Sequence, residues 1–255
     1  MQSVIFFGSA PLSNIVLQKL LDAKVGVDIV VTKADKPVGR HLKLTPNPLK
    51  TLALRHTIPV VESLNDLKVS CNSVGLVAAY GRIIPQEVLD KFSGRIYNIH
   101  PSLLPKYRGP SPLQQQILDG VAETGVTIIQ VDAEMDHGPI LAQEKDVISP
   151  TDTWVTLGER LFAKGTDAFI DFLQHPDKYS LTPQDHSQAT YTKLLTRQDG
   201  YIPWEEFNQL LSNPSPLIKR KFQAFHPWPG IWSVNKHNQR TKLLAIYPKL
   251  KVQVI

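Results

Sequence analysis

Cysteine is nearly missing from this chain of 255 residues: Cys71 is its only thiol. No internal disulfide can form, and a zinc site of clustered cysteines is excluded. Cys71 stands in an apolar neighbourhood of the sequence, and a reducing compartment fits it best. Long apolar runs are missing too, none approaching the roughly 20 residues of a membrane span. The first residues lack the basic region, apolar stretch and cleavage site of a signal peptide, so the expectation is a cytoplasmic protein with no membrane partner. Gly8-Ser9-Ala10 follows the first strand-like run, but no GxGxxG stands there. GxSxG, a phosphate-binding P-loop and a histidine pair at helical metal-ligand spacing are likewise missing, and no metal is expected. There is no internal repeat or low-complexity tract.

Excess charge is missing from most of the chain and concentrated at one end. Residues 1–175 hold 17 Lys/Arg against 18 Asp/Glu, whereas residues 176–255 hold 11 against 5. Within the first part, Lys33, Lys36, Arg40, Lys43 and Lys50 are offset only by Asp35. These two basic patches on a nearly neutral body suit contact with a polyanion through its phosphates.

With 42% apolar residues, the chain can bury one good core and carry a smaller appendage. Short β-branched runs alternate with helical patterns through the first two thirds, which predicts an α/β fold with a mostly parallel sheet covered by helices. Strands are expected at 4–7, 27–31, 59–61, 74–79, 94–100 and 127–131. Helices are expected after Gly8, with Ser9 as cap and Pro11 in the first turn, at 48–56, from Pro85, at 112–118 before Gly120, and at 152–173. Trp154, Leu157, Leu161, Ala168 and Phe172 are the expected inner stripe of the last. Residues 176–204 turn polar and irregular, as in a linker laid over a surface, dividing a domain at 1–175 from a β-rich region at 205–255. That region reads as one helical segment ending near Phe225, a turn at His226-Pro227-Trp228-Pro229, and strands at 231–234, 242–247 and 249–255. Three strands do not close a barrel, so an open sheet is expected, which must either lean on the larger domain or leave an edge exposed, with Lys236, Lys242, Lys249 and Lys251 discouraging edge pairing.

The chemistry-bearing residues gather in Asn98-Ile99-His100-Pro101-Ser102-Leu103-Leu104-Pro105, then Arg108-Gly109, and later Asp136-His137-Gly138. Residues 98 and 100 of a strand point to the same side, so an amide and an imidazole can converge on one ligand atom. Their place at the carboxyl end of a strand is where open parallel sheets bind ligands. Asp136, in a loop after the next strand, can approach them. Such a trio suits attack by an amine on a carbonyl carbon: Asn98 and His100 would donate to the developing oxyanion, and Asp136 would favour imidazolium and help remove the amine proton.

The combined pattern resembles the folate-dependent formyltransferase family, whose signature is Asn-x-His-x-Ser-Leu-Leu-Pro with a downstream Asp-x-Gly. The resemblance covers essentially the whole chain. It implies a Rossmann-like catalytic domain, catalytic Asn98, His100 and Asp136, and 10-formyltetrahydrofolate as formyl donor. It also implies a folate site formed by Tyr80, Gly81, Arg82, Ile83 and Ile84 on one side and by Ser102, Leu103, Leu104 and Pro105 on the other. Within the family it is strongest to the members that formylate the methionyl group of initiator tRNA, on the stretch from Thr32 to Lys50, on Glu123 to Thr127, on Ala189-Thr190-Tyr191 and on Phe225 to Pro229. In those members a basic loop enters the acceptor-stem region, which assigns Lys36, Arg40 and Lys43 to tRNA. N-formylation of an amino-sugar nucleotide is the alternative, and a non-catalytic folate- or RNA-binding relic the third. Pro101 and His137 depart from residues usual in the tRNA-directed members, Gly and Thr, without removing a catalytic group. The family's C-terminal barrel continues past the position of Ile255, so a shortened, incomplete OB-like barrel is expected here. The sequence does not give the oligomeric state; a monomer is favoured.

Overall fold

The structure, a computed structural model, describes residues 3–9, 11–38, 43–45, 47–212, 215–245 and 251–254, with the backbone alone at 36–38, 43–45 and 211–212. The chain opens with β1 (Ser3–Phe7), α1 (Pro11–Asp22) and β2 (Val27–Val31), then a short antiparallel hairpin of β3 (Lys36–Val38) and β4 (Lys43–Thr45). There follow α2 (Pro48–Arg55), β5 (Val60–Val61), β6 (Ser73–Val77), α3 (Gln86–Lys91), β7 (Ile96–His100), α4 (Pro112–Asp119), β8 (Glu123–Gln130), β9 (Ile140–Val147) and α5 (Trp154–Gln174). Seven strands make the main sheet in the order β5-β2-β1-β6-β7-β8-β9. The first five are parallel, and β8 and β9 join antiparallel.

The central strands are apolar runs because helices cover both faces of the sheet. Val4, Phe6, Val74, Leu76, Tyr97 and Ile99 pack on the side of α1 and α5, while Ile5, Phe7, Val31 and Ile96 join the other cluster with Val88, Leu89 and Phe92. The two-residue alternation of β7 therefore sends Tyr97 and Ile99 under α5 and turns Asn98 and His100 to the opposite face. Helix α5 starts on a capping box of Thr153 and Thr156, two residues later than expected, and its buried face centres on Leu157, Leu161, Phe162 and Phe169. Trp154, Ala168 and Phe172 only flank that core.

Several local expectations are corrected. Strand β9 was not expected, because it is an edge whose Gln143-Glu144-Lys145 stretch is exposed and shows no apolar alternation; only Leu141 is buried. Ser9 spends its hydroxyl on the Lys33 amide. Cys71 is exposed in the turn before β6, since the apolar residues around it belong to the strand and not to the turn. The single helical segment expected before Phe225 is two helices, α6 (Trp204–Ser212) and α7 (Pro216–Phe225). Ser215 caps the second and Pro216 occupies its first turn, which is what restarts the helix.

The chain ends in an antiparallel sheet of β10 (Trp232–Val234), β11 (Arg240–Ala245) and β12 (Lys251–Val254). The region leans on the larger body through α7, which packs on α4 and α5. Ala224 and Phe225 belong to the main core, and Gln223 donates to the Pro150 carbonyl at 2.7 Å. Among the described residues no helix is long and apolar enough to cross a membrane.

Candidate active site

Asn98, His100 and Asp136 meet on the face of β7 opposite α5. Asn98 Nδ2 donates to Asp136 Oδ1 at 3.2 Å, and His100 Nδ1 lies 3.4 Å from the same oxygen. The other carboxylate oxygen accepts the Gly109 amide at 2.8 Å. This is possible because the 131–139 loop folds back from β8 over β7, while residues 101–111 turn across the end of the strand. Gly109, at φ +103, offers its N–H from a conformation closed to most L residues, and a Cβ there would lie 2.8 Å from the Thr192 carbonyl. Asp136 itself is left-handed at φ +52. Gly138 serves the same turn differently: a Cβ on it would stand 1.9 Å from the Gln130 carbonyl, so the Asp-x-Gly glycine lets the turn lie against the end of β8.

The electrostatics follow from burial and partners. His100 is 4% exposed, and its Nε2 sits 2.9 Å from the Tyr107 carbonyl, which can only accept. That ring nitrogen must therefore carry a proton, and an ionised Asp136 beside Nδ1 calls for a second. Burial by itself would lower the His100 pKa; the Asp136 carboxylate and the Tyr107 carbonyl outweigh it and hold the pKa above its ordinary value. Burial would raise the Asp136 pKa, but His100, the Gly109 amide and the nearby Arg108 guanidinium bring it below the usual carboxylate range. The result is a buried imidazolium–carboxylate pair. Each His100 nitrogen faces a partner in this arrangement, Nδ1 the Asp136 carboxylate and Nε2 the Tyr107 carbonyl. The Asn98 amide has a second N–H beyond the one given to Asp136, and the 3.4 Å contact at Nδ1 is the loosest in the cluster.

The expected folate-side residues lie beyond the carboxyl ends of β6 and β7. Tyr80 is buried against Phe7, with ring centroids 5.7 Å apart edge to face. Gly81, at φ +64, receives the Lys33 ammonium on its carbonyl at 2.9 Å. Arg82 is exposed, Ile83 is 79% exposed, and Ile84 packs partly against the core on that side. In the second segment Ser102 and Leu104 face inward: Ser102 Oγ donates to the Lys106 carbonyl, and the Ser102 carbonyl and Leu104 amide both engage Thr127 Oγ1. These bonds hold the loop to β8, leaving half-buried Leu103 and Pro105 as its more open residues.

Of the expected tRNA residues, Arg40 and the side chains of Lys36 and Lys43 lie outside the described residues. The base of their hairpin is fixed. Asp35 Oδ1 accepts the Asn47 amide at 2.9 Å, and the Asn47 side chain donates to Thr32 and to the Lys33 carbonyl. Lys50 bridges Asp35 at 3.1 Å and Glu62 at 2.8 Å, so this lysine of the basic stretch is engaged internally.

Sequence reasoning missed the share taken by 176–204. Read as a linker over the surface, this segment instead adds a wall to the site. Arg108, 1% exposed, reaches Gln184 Oε1 at 2.7 Å, His186 Nδ1 at 2.8 Å and the Tyr191 hydroxyl at 3.3 Å. Its amide and carbonyl bond to Thr190 and Thr192. His186 stacks on His137 at 4.0 Å. The Ala189-Thr190-Tyr191 match was the only sequence signal, since a segment with no apolar period gives no other. Among the described residues no group of three His, Cys, Asp or Glu is arranged to hold a metal ion.

Comparison with known proteins agrees with this geometry. The family profile described as formyl transferase matches residues 1–173. A protein of Roseiflexus sp. (strain RS-1) named methionyl-tRNA formyltransferase is 43% identical over 238 residues, covering 89% of this chain and 71% of the relative. One of the same name from Pseudothermotoga lettingae is 35% identical, covering 95% of this chain and 78% of the relative. Among solved structures, a 4-N formyltransferase from Francisella tularensis superposes with a TM-score of 0.70 at 16% identity, over 98% of both chains. An N-formyltransferase from Helicobacter canadensis, solved with folinic acid and dTDP-3-aminofucose, gives 0.68 at 20% identity, over 96% of this chain and 88% of its own. At these identities the two structures attest the fold alone.

Proposed function

The chain belongs to the formyl transferase family, and from that premise we propose that it moves a formyl group from 10-formyltetrahydrofolate to the amino group of methionyl initiator tRNA. The observation that carries the chemistry is the contact of Asn98, His100 and Asp136 around one carboxylate oxygen. The acceptor nitrogen bonds to the formyl carbon, the bond from that carbon to N10 of the donor breaks, and the amine proton ends on N10. As nitrogen attacks, negative charge grows on the formyl oxygen. The second Asn98 N–H is available to it, and the His100 imidazolium lies beside it as the fixed positive charge that such a transition state needs. Asp136 keeps His100 protonated and accepts the amine proton, directly or through water, on its way to the donor nitrogen. The loops after β6 and β7, with Tyr80 to Ile84 and Ser102 to Pro105, are the proposed walls of the folate site.

The choice of acceptor rests on the relatives, 35–43% identical over most of this chain and named for methionyl-tRNA, and on the basic hairpin. The bonds from Asp35 to Asn47 and Lys50 anchor the base of this basic stretch, and Lys36, Arg40 and Lys43 are proposed to meet phosphates of the acceptor stem. Incubation with labelled donor and either charged initiator tRNA or an amino-sugar nucleotide tests the assignment. Formylation of the sugar nucleotide alone would overturn it, and any turnover removes the relic reading. For Lys36, Arg40 and Lys43 replaced together by alanine, the KM for tRNA is expected to rise ~10-fold at moderate salt, with a salt-dependence slope shallower by about 3. The KM for the folate donor should stay unchanged. Equal tRNA kinetics in wild type and variant would remove the hairpin from the interface.

A further inference from the structure

Resting on the same reading of the site, we propose that Gln184 is a positioning residue, held by Arg108, that sets the Asp136 turn in its catalytic geometry. Gln184 comes from the irregular stretch after α5 and is 5% exposed. Its Nε2 donates to two carbonyls of one turn, Asp136 at 3.0 Å and Gly138 at 2.7 Å, using both amide hydrogens. Its Oε1 accepts Arg108 Nη2 at 2.7 Å. A guanidinium only donates, so Arg108 fixes which end of the Gln184 amide faces the turn. Without it the amide could flip and set its oxygen against two carbonyls.

The turn has reason to need such a hold. Asp136 is a non-glycine residue in left-handed backbone, a conformation that a Cβ disfavours at a cost in free energy. The 137–138 stretch lies against the Gln130 carbonyl with no room for adjustment. Two hydrogen bonds from outside the loop offset that cost and leave the carboxylate where Asn98, His100 and Gly109 reach it. Arg108 acts on both sides of the same unit. Its backbone continues into Gly109, whose N–H holds Asp136 Oδ2, and its buried charge faces Asp136 with no carboxylate paired directly to it among its described contacts. Residues 184–192 thus complete the site and are more than a connection between its two flanking regions.

The test uses the full-length chain with Gln184→Leu, which keeps most of the volume and loses all three bonds, and Gln184→Glu, which keeps an acceptor for Arg108 but cannot donate to the two carbonyls. Turnover is counted per folate-binding site, so partly unfolded protein does not enter. Both variants are expected to lose ~10-fold or more in kcat with KM values within about 2-fold of wild type, the mark of a misplaced catalytic group and not of lost binding. Independently of any acceptor, the nitrogen resonances of the His100 ring in Gln184→Leu, which adds no charge, should show its protonation lost at lower pH than in wild type, because a displaced carboxylate no longer supports the imidazolium. Wild-type kcat in either variant, or an unmoved His100 titration, would overturn the proposal. If wild-type protein formylates no methionyl-tRNA, the acceptor reading fails while the His100 titration still decides the role of Gln184.

Discussion

Asp136→Asn is expected to lower kcat by at least ~10²-fold while leaving the affinity for the folate donor within about 3-fold. The replacement preserves the size of the side chain and removes the charge, so the loss reports chemistry and not a cavity. In the wild-type protein Asp136 is the counter-ion of a histidine 4% exposed, and it also accepts from Asn98 and Gly109. With a neutral amide in its place, burial and the charge of Arg108, both of which lower the His100 pKa, are no longer outweighed. His100 becomes neutral, the positive charge beside the developing oxyanion is gone, and the amine proton loses its acceptor. Stability carries the same signature. The raised pKa of His100 contributes stability that is fully present below its unfolded value, about 6.5, and is lost as pH rises through the folded value. The lowered pKa of Asp136 contributes stability present above about 3.9 and lost as pH falls through its folded value. The difference in melting temperature between wild type and Asp136→Asn should therefore be largest between about pH 4 and 6.5 and shrink on either side. A difference that does not shrink below about pH 4 or above about pH 6.5, or a kcat near wild type, would mean that the pair is not the working unit of the site.

Gly138→Ala is expected to be almost as damaging, with kcat down ~10²-fold, although the glycine touches no reacting group. Its new Cβ would lie 1.9 Å from the Gln130 carbonyl, which is backbone in β8 and cannot swing away as a side chain would. Either the end of the strand or the turn must move by about an ångström, a displacement that typically costs such a factor when it separates catalytic groups. The turn is the weaker of the two, since β8 is hydrogen-bonded on both edges, to β7 and to β9. Asp136 should therefore leave the reach of His100 and the Gly109 amide. Folate affinity should fall little, because Ser102 and Leu104 of the proposed folate wall are held to β8 through Thr127 and not through this turn. Rates close to wild type in a folded Gly138→Ala protein would show that the Asp136 position tolerates displacement and that its geometry is not limiting.

How far the sequence reached differs from one residue to the next, for physical reasons. Asn98 and His100 were legible because a strand has a two-residue period: their shared face and their place at a carboxyl end follow from local pattern alone, and β7 places them there. The apolar runs of β1, β2 and β6 were legible because burial on both faces leaves nothing but apolar residues in them. Strand β9 was not, because an edge strand with one wet face carries no such mark. Helix α5 was found, but its buried stripe was shifted, since which flank of an apolar helix turns inward depends on the surface it meets.

The sequence by itself determined the class of fold, the chemical types in the site and the family pattern that joins them, because composition, periodicity and motif spacing are local properties of the chain. Only the tertiary structure decided how those groups are wired. That both His100 nitrogens are already spent, on Asp136 and on the Tyr107 carbonyl, depends on two loops closing over one strand. That Gln184 reaches back 48 positions to the Asp136 carbonyl, and Tyr191 reaches back 83 to Arg108, could not be read from a polar segment without periodicity. Contacts across such separations are fixed by where a packed core leaves the chain free to return, and no local pattern records that.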